Sequence, residues 1–145
     1  MKHLITATLL ALAAPPLGAQ DMLSYDTTLS FDDVTFGLEN AIANRGLRLE
    51  HVSHVGEMLE RTRADVGSDV VLFENAKVFS FCSARLSRQV MEANPMNITY
   101  CPYDIFVAQL PDSETVTIGF RPYPPGDMQL IQNLLDSLVQ EAIAE

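Results

Sequence analysis

Cys82 and Cys101 are the two residues of this chain with the widest chemical reach. Between them lies SARLSRQVMEANPMNITY, read as an amphipathic helix over 84–93 that Asn94-Pro95 stops, because the residue before a proline avoids helical geometry. A thiol pair at this spacing serves either as a structural bridge or as a couple that cycles or carries sulfur. Cycling pairs are commonly closer, as in Cys-X-X-Cys, and sit at a helix N-terminus. Cys82 does precede the helix, with Arg85 and Arg88 nearby, so a free thiolate there has a source of stabilisation. Bridging requires the flanking strands to run antiparallel, which brings the two sulfurs within reach. A bridge closing this loop would stabilise the fold by ~3 kcal/mol in the chain-entropy model.

Three further groups could do chemistry. His51, His54 and Met58 form a possible soft-metal or haem set. On a strand His51 and His54 point to opposite faces. If the next helix starts at Ser53, His54 and Met58 become an i, i+4 pair suited to copper(I) or haem iron. There is no CXXCH, so covalent c-type haem has no motif. Arg85 and Arg88 are candidates for an anion site at a helix start, with surface salt bridges as the plainer reading. The run Asp65-Val66-Gly67-Ser68-Asp69 has acidic spacing faintly like a calcium loop but lacks the closing Glu, so a solvated turn explains it better. No nucleophile-elbow sequence is present, and catalysis is not expected.

The elements that must position these groups follow from hydrophobic period. Residues 23–29 alternate as a strand, and Ser30 caps a helix whose apolar stripe is Phe31, Val34, Leu38, Ala41 and Ile42, ending at Arg45-Gly46. A strand over 47–54 puts Leu47, Leu49 and His51 on one face. A short helix from Gly56 to Ala64 and an ambiguous segment, GSDVVLFENA, either a brief strand or a buried loop, follow. Residues 77–81 are a strand, 98–110 a strand interrupted by Pro102, and 115–120 its hairpin return. A final helix over 127–144 carries Met128, Ile131, Leu135, Leu138 and Ala142 inward, to dock on the sheet or a partner. This order predicts an α+β two-layer sandwich, a mixed sheet of about five strands covered by helices.

Residues 1–19 read as a cleavable leader. Lys2 and His3 precede an apolar run too short to span a bilayer, Pro15, Pro16 and Gly18 break it, and Ala19 suits the cut before Gln20-Asp21. The expectation is a periplasmic protein with one α+β domain over 20–145 and no transmembrane anchor in the mature chain. An even number of cysteines in an oxidising compartment favours the structural bridge. With 9 basic against 19 acidic residues in 145 and a net charge of −10, the chain would repel a phosphate backbone, so nucleic acid is not expected as a partner.

The run FSFCSARLSRQVMEANPMNITYCPYDIFVA, with the preceding helix and GLRLEHVSHV, resembles the signature of the domain of unknown function 302 family. The likeness spans about residues 30–122, and the chain departs from the common pattern in placing Cys101 before Pro102. The resemblance implies a compact α+β fold and a tendency to associate, and it carries no catalytic residues to transfer. Three expectations result: an exported non-catalytic binding or accessory domain, forming a homodimer and taking a small molecule, cofactor or periplasmic protein; a thiol/disulfide or sulfur-handling protein using Cys82 and Cys101; or a haem or copper binder using His54 with Met58 or His51. N-terminal sequencing of the exported protein should begin at Gln20, and a start at Met1 would refute the leader.

Overall fold

The computed structural model describes residues 22–144; the leader expected at 1–19 lies outside the described residues. The chain runs β1 (Leu23–Thr27), α1 (Phe31–Asn44), β2 (Arg48–Ser53), α2 (Val55–Thr62), β3 (Asn75–Cys82), α3 (Ala84–Ala93), a 3-10 helix (Pro95–Tyr100), β4 (Tyr103–Gln109), β5 (Val116–Phe120) and α4 (Gln129–Ala142). Five strands form one sheet in the order β1-β5-β4-β3-β2. One face carries Phe79, Phe81, Tyr103, Ile105, Val107, Val116, Ile118 and Phe120, all buried. Against them lie α1, through Val34, Leu38 and Ile42, and α4, through Ile131, Leu135 and Leu138. This is the expected α+β sandwich, and the α4 stripe is committed to the core rather than left for a partner.

The sheet differs from the expectation in one respect: every ladder is antiparallel, so it is not mixed. Between β3 and β4 the reason lies in the crossover. Ten residues of α3 carry the chain out by about 15 Å, and the six of the 3-10 helix carry it back by about 12 Å, packing along α3. The chain therefore re-enters the sheet at the end it left. Residues 98–100, expected at the start of a strand, belong to that return, and β4 begins only after the cis Cys101-Pro102 bond. Asn94 ends α3 and also caps the 3-10 helix, its side chain accepting from the Met96 N–H at 3.1 Å.

Local signals in the sequence are used as read. The Ser30 hydroxyl oxygen accepts from the Asp33 N–H at 3.1 Å, and Gly46 takes the positive φ of 67° that lets the chain leave α1. Two readings need correction. His51 leaves the face of Leu49 because a bulge between them turns β2, so that Leu49 opposes Phe81 while His51 opposes Ser80. Residues 67–74 form neither a brief strand nor a buried loop, and residues 75–76 already belong to β3. Val70, Val71 and Leu72 lie in an exposed irregular segment whose backbone pairs with no neighbouring strand.

α1 and α4 touch most closely at Gly37, where a Cβ would stand 2.5 Å from the Ala142 carbonyl oxygen. Ala in an exposed helix is favoured over Gly by about 1 kcal/mol, whereas overpacking a close contact costs about 1–3 kcal/mol. The contact should win. Gly37→Ala is expected to lower the urea midpoint at constant slope, and a raised midpoint would show that the two helices separate freely.

Candidate functional site

The register of β3 on β4 assembles the site. Phe81 pairs with Tyr103, so one step beyond that pair Cys82 faces Pro102 and stands beside Cys101. Both cysteines are half-buried thiols with no bond between them. The Cys101 side chain and the Tyr103 backbone N–H both lie beside the Cys82 sulfur. Burial, then the Cys101 thiol, then the Glu50 carboxylate push the Cys82 thiol up to about 12, and the Tyr103 N–H only partly offsets them. Cys82 therefore keeps its proton at neutral pH. The helix start and the arginines do not reverse this: Ser83 is the cap, its oxygen accepting from the Leu86 N–H at 3.3 Å, and Arg88 is turned to Glu92 at 2.7 Å.

An aromatic file runs from the core to the surface beside the thiols. Phe81 and Tyr103 meet edge-to-face with centroids 6.4 Å apart, Tyr103 and Tyr123 do so at 6.1 Å, and Tyr123 and Tyr100 lie 5.7 Å apart. The Tyr103 hydroxyl is 2.9 Å from that of Ser87 on α3. Burial raises the Tyr103 and Tyr123 phenols above their ordinary value, so both are neutral donors. The file ends at a cleft of about 520 Å³ walled by Tyr100, Cys101, Pro102, Asp104, Arg121 and Tyr123. Asp104 accepts from the Ser80 hydroxyl at 2.5 Å, which holds its exposed carboxylate on the cleft lining. The proline-rich wall 121–125 is held by α4: Gln132 accepts from the Tyr123 N–H at 2.9 Å, and Gln129 donates to the carbonyls of Tyr123 and Pro124.

The other candidates are not brought together. His54 is the residue before α2, its Nδ1 3.1 Å from Glu57, and Met58 is exposed one turn on, its N–H bonded to the His54 carbonyl. His51 projects from the exposed β2 edge. Among the described residues no three His, Cys, Asp or Glu side chains are grouped to hold a metal ion. Arg85 borders a hollow of about 410 Å³ with Arg45 and Ser83, but Arg45 is already bonded to Ser137 and Glu141. Asp69 lies in an exposed turn where its carbonyl accepts from Arg63, as a solvated turn requires.

Sequence reasoning missed the cleft. Tyr100, Tyr103 and Tyr123 are ordinary aromatic residues in the chain, and Arg121 reads as one of several scattered arginines. The available signal was the spacing of Tyr-Cys-Pro-Tyr at 100–103 against Arg-Pro-Tyr-Pro-Pro at 121–125, two rigid segments flanking one hairpin.

The fold and site together define a small antiparallel α+β domain with a thiol-edged aromatic cleft. Residues 23–145 match the family described as "Domain of unknown function DUF302", and the chain belongs to that family. It is similar in fold to the crystal structure of an uncharacterized conserved protein DUF302 from Bacillus stearothermophilus, with a TM-score of 0.59 and 18% identity over 86% of this chain and 88% of that one. No curated protein sequence matches the chain. Among the described residues no helix is long and apolar enough to cross a membrane.

The Cys82 environment sets a pH dependence. In a reduced Cys101→Ser variant, where burial and Glu50 still act on the thiol, iodoacetamide should modify Cys82 slowly at pH 7 and faster as pH rises, since the thiolate is the nucleophile. Folding raises this thiol above its ordinary 9.0, so its contribution to stability is complete below pH 9 and is lost as pH climbs towards about 12. A rate that levels off between pH 7 and 8 would contradict this environment.

Proposed function

We propose that this domain is an exported, non-catalytic binding or accessory module that holds a small amphipathic ligand in the cleft beside Cys101. The observation that carries the reading is the cleft itself. Apolar and aromatic walls with a few fixed polar groups are the general form of a small-molecule site, and here Tyr100, Pro102 and Tyr123 supply the walls while Arg121 and Asp104 supply opposite charges at defined places. The absence of an activated nucleophile fits binding without turnover: Cys82 is protonated and the buried tyrosines are neutral. The reading includes homodimer formation through the edge strands β1 and β2, because the α4 stripe is already covered.

A second reading has its own support, since Cys82 and Cys101 are adjacent. If the compartment oxidises them, a thiol with so high a pKa both attacks slowly and leaves reluctantly. That favours a lasting staple between β3 and the start of β4 over a rapidly cycling couple.

The cleft is tested with 1-anilinonaphthalene-8-sulfonate, an aromatic anion matched to the tyrosines and Arg121. Its fluorescence should rise on binding, with affinity reduced about tenfold in Tyr100→Ala and in Arg121→Ser, a loss of about 1.4 kcal/mol. Equal affinity in both variants would place binding elsewhere and sink the cleft reading.

A further inference from the structure

We propose that the reduced Cys82–Cys101 pair is a two-coordinate site for one soft monovalent cation, copper(I). One register step beyond the Phe81–Tyr103 pair, Cys82 at the end of β3 and Cys101 before β4 are neighbouring half-buried thiols, Cys101 lining the cleft, and they supply the donor set that soft cations select over oxygen and nitrogen. Among the described residues there is no grouping of three His, Cys, Asp or Glu side chains, so a four-coordinate zinc centre has too few ligands, whereas linear bis-thiolate coordination needs only these two. The surroundings suit a metal thiolate. The Tyr103 backbone N–H lies beside the Cys82 sulfur and would stabilise the charge it gains, and the Glu50 carboxylate adds attraction for an incoming cation.

The chemistry balances without electron transfer. Copper enters and leaves as copper(I), two S–H bonds break, two Cu–S bonds form, and two protons pass to solvent. Because metal binding releases thiol protons, the affinity climbs with pH. Oxidation closes the site: with oxidised glutathione the pair loses two hydrogens, the Cys82–Cys101 bond forms, and two molecules of reduced glutathione are released. The disulfide has no thiolate left to coordinate. The site thus exists only in the reduced protein, and it is independent of whether the neighbouring cleft holds an organic ligand.

The test is anaerobic competition for copper(I) between the purified, reduced protein and bicinchoninate, with zinc(II) titrated in parallel. One equivalent of copper(I) should bind, with a near-ultraviolet thiolate-to-copper band. Cys82→Ser and Cys101→Ser should each lose it while keeping the native circular dichroism, as should wild-type protein treated with oxidised glutathione. The double variant His54→Ala/Met58→Leu should bind as wild type does. Copper(I) retained by either serine variant, copper(I) lost in the His54/Met58 variant, or zinc(II) held as tightly as copper(I) would each overturn the proposal. Failure of the dye to bind the cleft would leave all these outcomes unchanged.

Discussion

The antiparallel pairing of β3 with β4 is the constraint on which the rest depends. It runs for seven residue pairs, from Asn75 with Gln109 to Phe81 with Tyr103, and joins the centre of the sheet to a crossover that folds back on itself. Each paired residue commits its neighbour's face, since a slip of one position would turn Phe79 and Phe81 outward and expose the core. Because the apolar set cannot slip, neither can the residue that follows it. Cys82 is held opposite Pro102 as a by-product of burying two phenylalanines.

The same pairing explains why the site is aromatic. Tyr103 opens β4 on the buried face, yet its hydroxyl must find a partner there, and Ser87 on the outgoing α3 provides one. With Tyr103 fixed, Tyr123 and then Tyr100 continue outward in edge-to-face and tilted contacts, so a feature that begins as core packing ends as the wall of a cleft. Gln129 and Gln132 hold the opposite wall from α4, which is itself pinned to α1 at Gly37. Core, helix pair and cleft are thus one mechanical unit, and the thiols sit at its edge rather than in a flexible loop.

Electrostatics give the site its chemical temper. In a chain with ten more acidic than basic charges, a carboxylate that acts on Cys82 is Glu50, which sits in the β2 bulge that turns His51 away from Leu49. Burial and that carboxylate oppose a bare thiolate far more than the helix start favours one. A bond to hydrogen, to a second sulfur or to a cation relieves the same difficulty, and all three are forms of a closed rather than an attacking sulfur.

Sequence by itself determined the elements and the layer they make. The Ser30 cap, the apolar stripes of α1 and α4, the proline stop at Asn94-Pro95 and the hairpin after Gln109 are local or periodic signals, readable because they depend on near neighbours. The resemblance of residues 30–122 to the family that residues 23–145 match was legible for the same reason. Tertiary structure decided the rest. That β4 pairs antiparallel with β3 depends on how far the 3-10 helix brings the chain back, and no residue type announces a return distance. The bulge that moved His51 is an offset between strands, invisible within either one. The cleft joins residues about twenty positions apart across a hairpin whose register only the packed core selects. Local chemistry writes the pieces of this domain, and the burial of Phe79, Phe81 and Tyr103 decides which of them meet.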